Sequence, residues 1–185
     1  IGEAYFFRAY SYFDLLQLYG DVIITKKPLD ITDPEMKVKR NDRSEVVDLI
    51  IDDLNHAVEN LPAFKELTTE EEGRISKEGA QAFLSRVALY EGTWQKSRNG
   101  NQNTQRSAIL LDIAAKAART VIDAKYGYTF RLFGTDSETK ILGDSAQKYM
   151  FILENEKSNP AGIKKSSNHE YIFARRHDQV LASIG

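Results

Sequence analysis

The sequence predicts a mainly α-helical protein made of packed helical hairpins, with long loops and a few short strands. Apolar residues recur at steps of three and four in several long segments, which is the spacing of one helix face. Most of these segments follow a capping residue or stop at Gly or Pro. Only brief extended runs and polar loops lie between them. We therefore expect four or five amphipathic helices.

The first helix is predicted over residues 2–19 and stops at Gly20, a residue suited to the left-handed C-terminal position. Its apolar stripe consists of Phe6, Ala9, Tyr10, Phe13, Leu16 and Tyr19. A strand-like run over residues 22–25 follows and ends at Pro28, which cannot donate a backbone hydrogen bond. Residues 26–43 are then expected to form a charged loop.

Three further long helices are predicted. They run from the N-cap Ser44 to Pro62, from the N-cap Ser76 to about Gly92, and from about Ser107 to Ala124. Alanines in the fourth helix are small enough to let another helix approach closely. Beyond it the pattern weakens to a short fifth helix over residues 144–153 and a strand-like run over residues 171–174.

Composition excludes several classes of function. A net charge of −2 and a pI near 6.0 give no concentrated positive surface for nucleic acid. The absence of cysteine excludes disulfides, thiolate zinc sites and cysteine nucleophiles. The longest apolar runs are far shorter than the roughly 20 residues that cross a bilayer. Because the chain starts at Ile1 without a helix cap, we interpret residues 1–185 as a single region internal to a longer protein.

No motif for catalysis, metal or cofactor binding emerges. The run 162–166 lacks the leading glycine and the strand of a phosphate-binding loop, and no Gly-x-Ser-x-Gly is present. The asparagines at 99, 101 and 103 have calcium-loop spacing, but Thr104 and Leu110 occupy the positions that need Gly and Glu. Neighbouring carboxylates, such as Asp52 and Asp53, are interpreted as solvated faces. We therefore expect no enzyme, no metal and no cofactor.

Aromatic and asparagine residues are the candidate ligand-binding groups. Sugar rings stack on flat apolar faces, and amide groups hydrogen-bond their hydroxyls. Trp94 is placed just past the predicted third helix, beside an asparagine-rich loop with Asn101 and Asn103, while Tyr126 and Tyr128 follow the fourth helix. We interpret these five residues as candidate glycan contacts. The alternative is that each ring packs against a helix end as a hydrophobic plug.

Four segments, taken in order, resemble one protein family. Residues 2–22 read GEAYFFRAYSYFDLLQLYGDV and are similar to GEARFLRAYYYFDLVRLYGDVPL. Residues 43–54 read RSEVVDLIIDDL and are followed by Leu61-Pro62. Residues 73–80 read GRISKEGA, like the start of GRATKGAAKALLAKVYLY, and residues 168–174 read NHEYIFA, like NKEIIFA. Together they resemble the SusD/RagB family of Bacteroidetes outer-membrane lipoproteins.

The resemblance implies tetratricopeptide-like helix pairs within a larger SusD-like domain. It implies a non-catalytic, cell-surface protein that captures oligosaccharide or polysaccharide and delivers it to a SusC-like TonB-dependent outer-membrane transporter. The protein would be held at the membrane only by a lipid anchor outside this chain. The motifs transfer no ligand role to a residue of this sequence, so the five candidate contacts rest on their chemistry alone.

Two other functions remain open. In the first, this helical region is only a scaffold that docks on the transporter, with the ligand contacts elsewhere; the alanine-rich fourth helix would then face the partner. In the second, a carboxylate pair makes the protein a glycoside hydrolase.

Overall fold

We describe the fold from a computed structural model of the chain. The structure describes residues 1–68, 70–71, 73–98, 104–153, 155–165 and 168–174. Its α-helices are α1 (Gly2–Tyr19), α2 (Arg43–Asn60), α3 (Lys77–Arg98), α4 (Thr104–Ile122) and a single turn, α5 (Ala146–Tyr149). Short 3-10 helices cover Pro34–Lys37, Phe64–Glu66 and Lys140–Ser145. The prediction of a helical-hairpin protein is confirmed.

α1 and α2 form the first hairpin. The α1 helix ends where Gly20 adopts a positive φ of 70° and donates its N–H to the Leu16 carbonyl. Across the hairpin, the Arg8 guanidinium donates two hydrogen bonds, of 2.7 and 2.6 Å, to the buried carboxylate of Asp53. At the far end, a side chain at Gly2 would collide with Leu61. The two helices are therefore packed closely and antiparallel.

α2 begins one residue before the predicted N-cap, so Ser44 lies inside the helix and the N-cap is Asp42. The reason is a contact from outside the helix: the Asp21 carboxylate accepts the N–H of Arg43 at 2.9 Å. The Asp42 N–H is in turn bound by the Glu45 side chain. These partners satisfy backbone donors that the first helical turn leaves free.

α3 and α4 form the second hairpin, and here the predicted end of α3 is wrong. Ser76 does cap the helix, since its hydroxyl accepts the Gly79 N–H. Gly92 does not end it, because α3 continues to Arg98. Gly92 instead allows close packing, since a Cβ there would lie 2.9 Å from Leu111, and the Ser107 hydroxyl reaches its carbonyl oxygen.

α3 packs against both helices of the first hairpin. Phe83 contacts Phe6, Tyr10 and Phe13 of α1, with ring centres 5.4–5.5 Å apart. One main hydrophobic core joins all four long helices. Its fully buried side chains include Leu16, Val46, Val47, Ile50, Leu54, Ile75 and Val87.

Arg43 forms a joint between the two hairpins. Its guanidinium binds the buried Glu91 carboxylate of α3, with N–O distances of 2.8–3.1 Å, and donates to the Leu16 carbonyl of α1. Gln95 donates to the same carboxylate at 2.6 Å. One arginine thus links the end of α1, the start of α2 and the C-terminal half of α3.

The residues after α4 enclose a second, smaller core. Phe133, Leu142, Leu153 and Ile163 are buried there. The predicted fifth helix is shortened to Ala146–Tyr149. The segment before it is a 3-10 helix, which Gly143 interrupts with a positive φ of 51°. α4 likewise ends at Ile122, two residues before the predicted end.

The predicted short strands do not form among the described residues. Val22 makes only an isolated bridge to Asn41. Two backbone donors further along the run bind side chains: the Ile24 N–H binds Asn41 and the Thr25 N–H binds the Tyr12 hydroxyl. No partner strand is therefore needed, and residues 171–174 also lack strand pairing.

None of the described helices combines the length and the apolar character needed to cross a membrane.

Candidate functional site

Three half-buried aromatic rings meet near the N-terminal end of α3. The ring centres of Phe64 and Tyr128 lie 4.5 Å apart, those of Tyr128 and Phe130 4.8 Å, and those of Phe64 and Phe130 5.2 Å. His169 joins the group through Tyr128, at 6.0 Å. We call these four residues the aromatic cluster. All four keep part of their surface in solvent.

Two turns bring the cluster together. After α4, Ala124 and Gly127 both adopt positive φ, of 52° and 85°, and the Gly127 N–H donates to the Ala124 carbonyl. This reversal directs Tyr128 towards the loop after α2. There the buried carboxylate of Glu78, in the first turn of α3, accepts the Phe64 N–H at 2.7 Å and fixes that ring.

Tyr126 adds a polar edge beside the cluster. Its hydroxyl accepts a 3.1 Å hydrogen bond from the Gln81 amide. The Lys77 ammonium lies 6.0 Å from the centre of its ring. The amide oxygen of Gln81 is buried without a hydrogen-bond partner in the structure. Apolar ring surface and hydrogen-bonding groups therefore lie side by side here.

The Tyr128 hydroxyl is hydrogen-bonded to Nδ1 of His169 at 2.7 Å. Burial raises the pKa of Tyr128 above its usual value of about 10, although the nearby charge of Arg131 opposes the rise. The phenol is therefore protonated at neutral pH and acts as a hydrogen-bonding group rather than as a nucleophile.

Trp94 lies within α3 rather than beyond its end. The guanidinium carbons of Arg43 and Arg98 lie 4.2 and 4.9 Å from its ring centre, and Tyr90 stacks beside it with ring centres 6.3 Å apart. The half-buried indole therefore takes part in the Arg43 joint.

The structure does not bring the candidate residues into one place. Tyr126 lies next to Gln81, and Trp94 is thirteen residues further along the same helix, which is about 20 Å at 1.5 Å per residue. Asn101 and Asn103 lie outside the described residues. Tyr126 and Tyr128 thus lie on the same surface, and Trp94 lies on a different one.

Two buried carboxylates are held in ion pairs between helices. Asp53, interpreted from the sequence as part of a solvated face, is only 2% exposed and is held by Arg8. Glu91 is fully buried and held by Arg43. Among the described residues, no three His, Cys, Asp or Glu side chains lie close enough together to hold a metal ion.

Sequence reasoning missed Phe64 and His169 as cluster members. Phe64 lies just after Pro62, outside the apolar stripe of α2, so the sequence pattern predicts only a loop at this residue. His169 lies in a polar segment that shows no apolar periodicity. A possible signal was the aromatic run that includes Tyr128 and Phe130, because alternating rings outside a helix need an apolar partner from elsewhere in the chain.

A family model described as "Starch-binding associating with outer membrane" matches residues 1–89. Two curated relatives come from Formosa agariphila. SusD-like protein P38 is 35% identical over 49% of this chain and 17% of its own length. SusD-like protein P2 is 27% identical over 91% of this chain and 32% of its own length. The chain therefore spans no more than about a third of either relative.

Solved structures show the same similarity to SusD-like proteins. A SusD-like protein from Bacteroides fragilis matches 96% of this chain and 27% of its own, with 28% identity and a TM-score of 0.64. The chain is therefore similar to SusD-like proteins over nearly its whole length and shares their helical-hairpin fold.

Two further solved structures have ligands in their descriptions. A laminarin-binding SusD-like protein matches 70% of this chain and 25% of its own, with 29% identity and a TM-score of 0.52. A structure described with a xylogluco-oligosaccharide matches 97% of this chain and 29% of its own, with 25% identity and a TM-score of 0.61. SusD-like proteins thus include carbohydrate binders, and the family description associates them with the outer membrane.

Proposed function

We propose that this chain is part of a non-catalytic protein that binds oligosaccharide or polysaccharide at the cell surface. The observation that carries the proposal is the match of nearly the whole chain to a solved structure described with a xylogluco-oligosaccharide. In the proposal, residues 1–185 are an internal part of a larger SusD-like domain. A lipid anchor outside the chain holds the protein at the outer membrane, and a SusC-like TonB-dependent transporter receives the ligand.

Within this chain, the aromatic cluster and Tyr126 are the proposed glycan contacts. The rings offer apolar faces and edges to the C–H groups of a sugar, and Gln81 and Tyr126 offer hydrogen bonds to its hydroxyls. Each such hydrogen bond replaces one to water, so its net gain is about 0.5–1.5 kcal/mol. Affinity for a polymer would then depend on several such contacts along one chain.

The experiment is affinity electrophoresis of the full-length protein through gels containing laminarin, xyloglucan or starch, with released reducing sugar measured in the same samples. Retardation by a glycan without sugar release supports the proposal. Sugar release contradicts the non-catalytic part of it.

Three variants then test the site. Tyr128→Ala removes the central ring of the cluster and should abolish most of the retardation, while Tyr128→Phe keeps the ring and should retain most of it. Phe151→Ala is the matched control, since this ring is 66% exposed and lies outside the cluster. Equal retardation of all three variants would favour the second candidate, a helical scaffold that only docks on the transporter.

The exposed apolar surface of α1 is the observation that favours that second candidate. Phe7, Leu18 and Tyr19 are 50%, 75% and 64% exposed, which is unusual for large apolar side chains of one helix.

A further inference from the structure

Three cationic side chains lie around the aromatic cluster, and each comes from a different part of the fold. Lys65 belongs to the short 3-10 helix after α2, Lys77 is the first residue of α3, and Arg131 lies in the loop after α4. We call these three residues the basic rim. Lys65 and Arg131 are exposed, and Lys77 is half-buried. The fold thus brings charges from three distant segments to one surface.

The two lysines of the rim lie beside the turn that leads into the cluster. A Cβ at Gly127 would be 2.5 Å from the ammonium nitrogen of Lys65, so this charge lies against the turn itself. The ammonium of Lys77 lies 6.0 Å from the ring centre of Tyr126. Both charges are therefore next to rings that are proposed to contact a sugar.

Arg131 is held at the other end of the cluster. Its backbone N–H donates to the His169 carbonyl oxygen at 3.1 Å, and Nδ1 of the same histidine is hydrogen-bonded to the Tyr128 hydroxyl. Burial raises the pKa of Tyr128 and the charge of Arg131 opposes that rise, which places the guanidinium near this hydroxyl. The rim therefore has a charge on both sides of the central ring.

None of the rim cations forms a salt bridge with a described residue. The carboxylates of the surrounding segments are bound to backbone N–H groups instead, at 2.7–3.0 Å; they are Glu66, Glu78, Asp136 and Glu170. The chain as a whole has a net charge of −2, so the rim does not follow from a basic composition. It is a local group of cations that the fold leaves open to a ligand.

We propose that the ligand of this surface is an acidic polysaccharide, whose sugars have carboxylate or sulfate groups. The inference rests on the proposed function and names its substrate class. The rings contact the apolar face of a sugar, and the rim binds the negative groups at its edge. A planar guanidinium such as that of Arg131 binds two oxygens of either group at once. A neutral glycan would leave all three cations without a partner.

Pairs of polysaccharides that differ only in charge test the inference. Affinity electrophoresis of the full-length protein compares polygalacturonate with its fully methyl-esterified form, and sulfated laminarin with laminarin. The first pair tests a carboxylate and the second a sulfate. At low salt, we expect the charged member of at least one pair to bind about tenfold more tightly than the neutral member. The preference should decrease at about 0.5 M NaCl, because salt screens exposed charges.

Two triple variants separate the rim from the effect of net charge. The rim variant is Lys65→Gln/Lys77→Gln/Arg131→Gln, and the matched control removes three exposed cations elsewhere, Lys96→Gln/Lys140→Gln/Lys148→Gln. The rim variant should reduce the preference to about twofold or less, while the control keeps it. A third variant, Lys65→Arg/Lys77→Arg/Arg131→Lys, retains the charges and should retain the preference. Circular dichroism checks that all three are folded.

The possible failures are distinguishable. Equal or tighter binding of the neutral member in both pairs would overturn the inference and leave the proposed function intact. The same holds if the rim variant keeps the preference, or if the control loses it equally. If no polysaccharide retards the protein, xyloglucan and starch included, the proposed function fails together with the inference.

Discussion

The ion pair between Arg8 and Asp53 should be strongly asymmetric in its contribution to stability. The Asp53 side chain is 2% exposed, whereas that of Arg8 is 33% exposed. Removal of one partner from a buried pair costs about 3–5 kcal/mol, chiefly because the other charge is left buried and unpaired. That penalty applies fully only when Asp53 is the residue left behind.

Arg8→Met keeps the apolar stem and removes the charge, so we expect it to lower the free energy of unfolding by about 3 kcal/mol. Asp53→Asn leaves Arg8, which can turn to water, and should cost about 1–2 kcal/mol. Against a total stability of about 5–15 kcal/mol, both effects are measurable by urea denaturation.

The double variant Arg8→Met/Asp53→Leu is the control. It contains no unpaired buried charge, so it should be more stable than Arg8→Met alone. The reasoning is refuted if Asp53→Asn costs as much as Arg8→Met, or if the double variant is the least stable of the three.

Three further predictions concern helix packing, the Arg43 joint and a buried aspartate. Gly92→Ala places a Cβ 2.9 Å from Leu111, so urea denaturation should show a loss of about 1–2 kcal/mol, and a gain in stability would contradict the close packing. Arg43→Lys loses the planar guanidinium and should shift the fluorescence of Trp94, the single tryptophan; an unchanged spectrum would argue against that contact. Burial raises the pKa of Asp136, but hydrogen bonds from its own loop outweigh this and hold it below the usual 3.8. The stability contributed by the ionised Asp136 carboxylate is therefore complete above its unfolded-state pKa of about 3.8 and is lost as the pH falls through its lower folded-state pKa. Asp136→Asn should accordingly reduce the loss of stability measured between about pH 5 and pH 3.

Helix periodicity predicted the long helices because their buried stripes are local features of the sequence. Errors arose where a distant residue decides the outcome. Gly92 indicates a helix end by its own propensity, but α4 packs against it and the helix continues. Ser44 is a good N-cap, yet the helix starts earlier because Asp21 binds the backbone of Arg43.

The candidate site was less predictable than the fold. Tyr126 and Tyr128 were identified from the chemistry of their side chains, but their neighbours were not, since Phe64 and His169 are separated by about a hundred residues in the chain. Contacts of this kind depend on how two turns direct separate loops towards each other. A sequence pattern of period two or 3.6 contains no information about them.

The Arg43 joint also affects how substrate preferences can change during evolution. The motif residues Gly20 and Asp21, with Arg43 itself, hold the hairpins together and contact no part of the aromatic cluster among the described residues. A change in a residue of the cluster would therefore leave the contacts of the Arg43 joint in place. Relatives described with laminarin and with a xylogluco-oligosaccharide can therefore share this fold. Under the proposed function, the loop residues around Tyr128 would then bear on glycan preference more than the motif helices do.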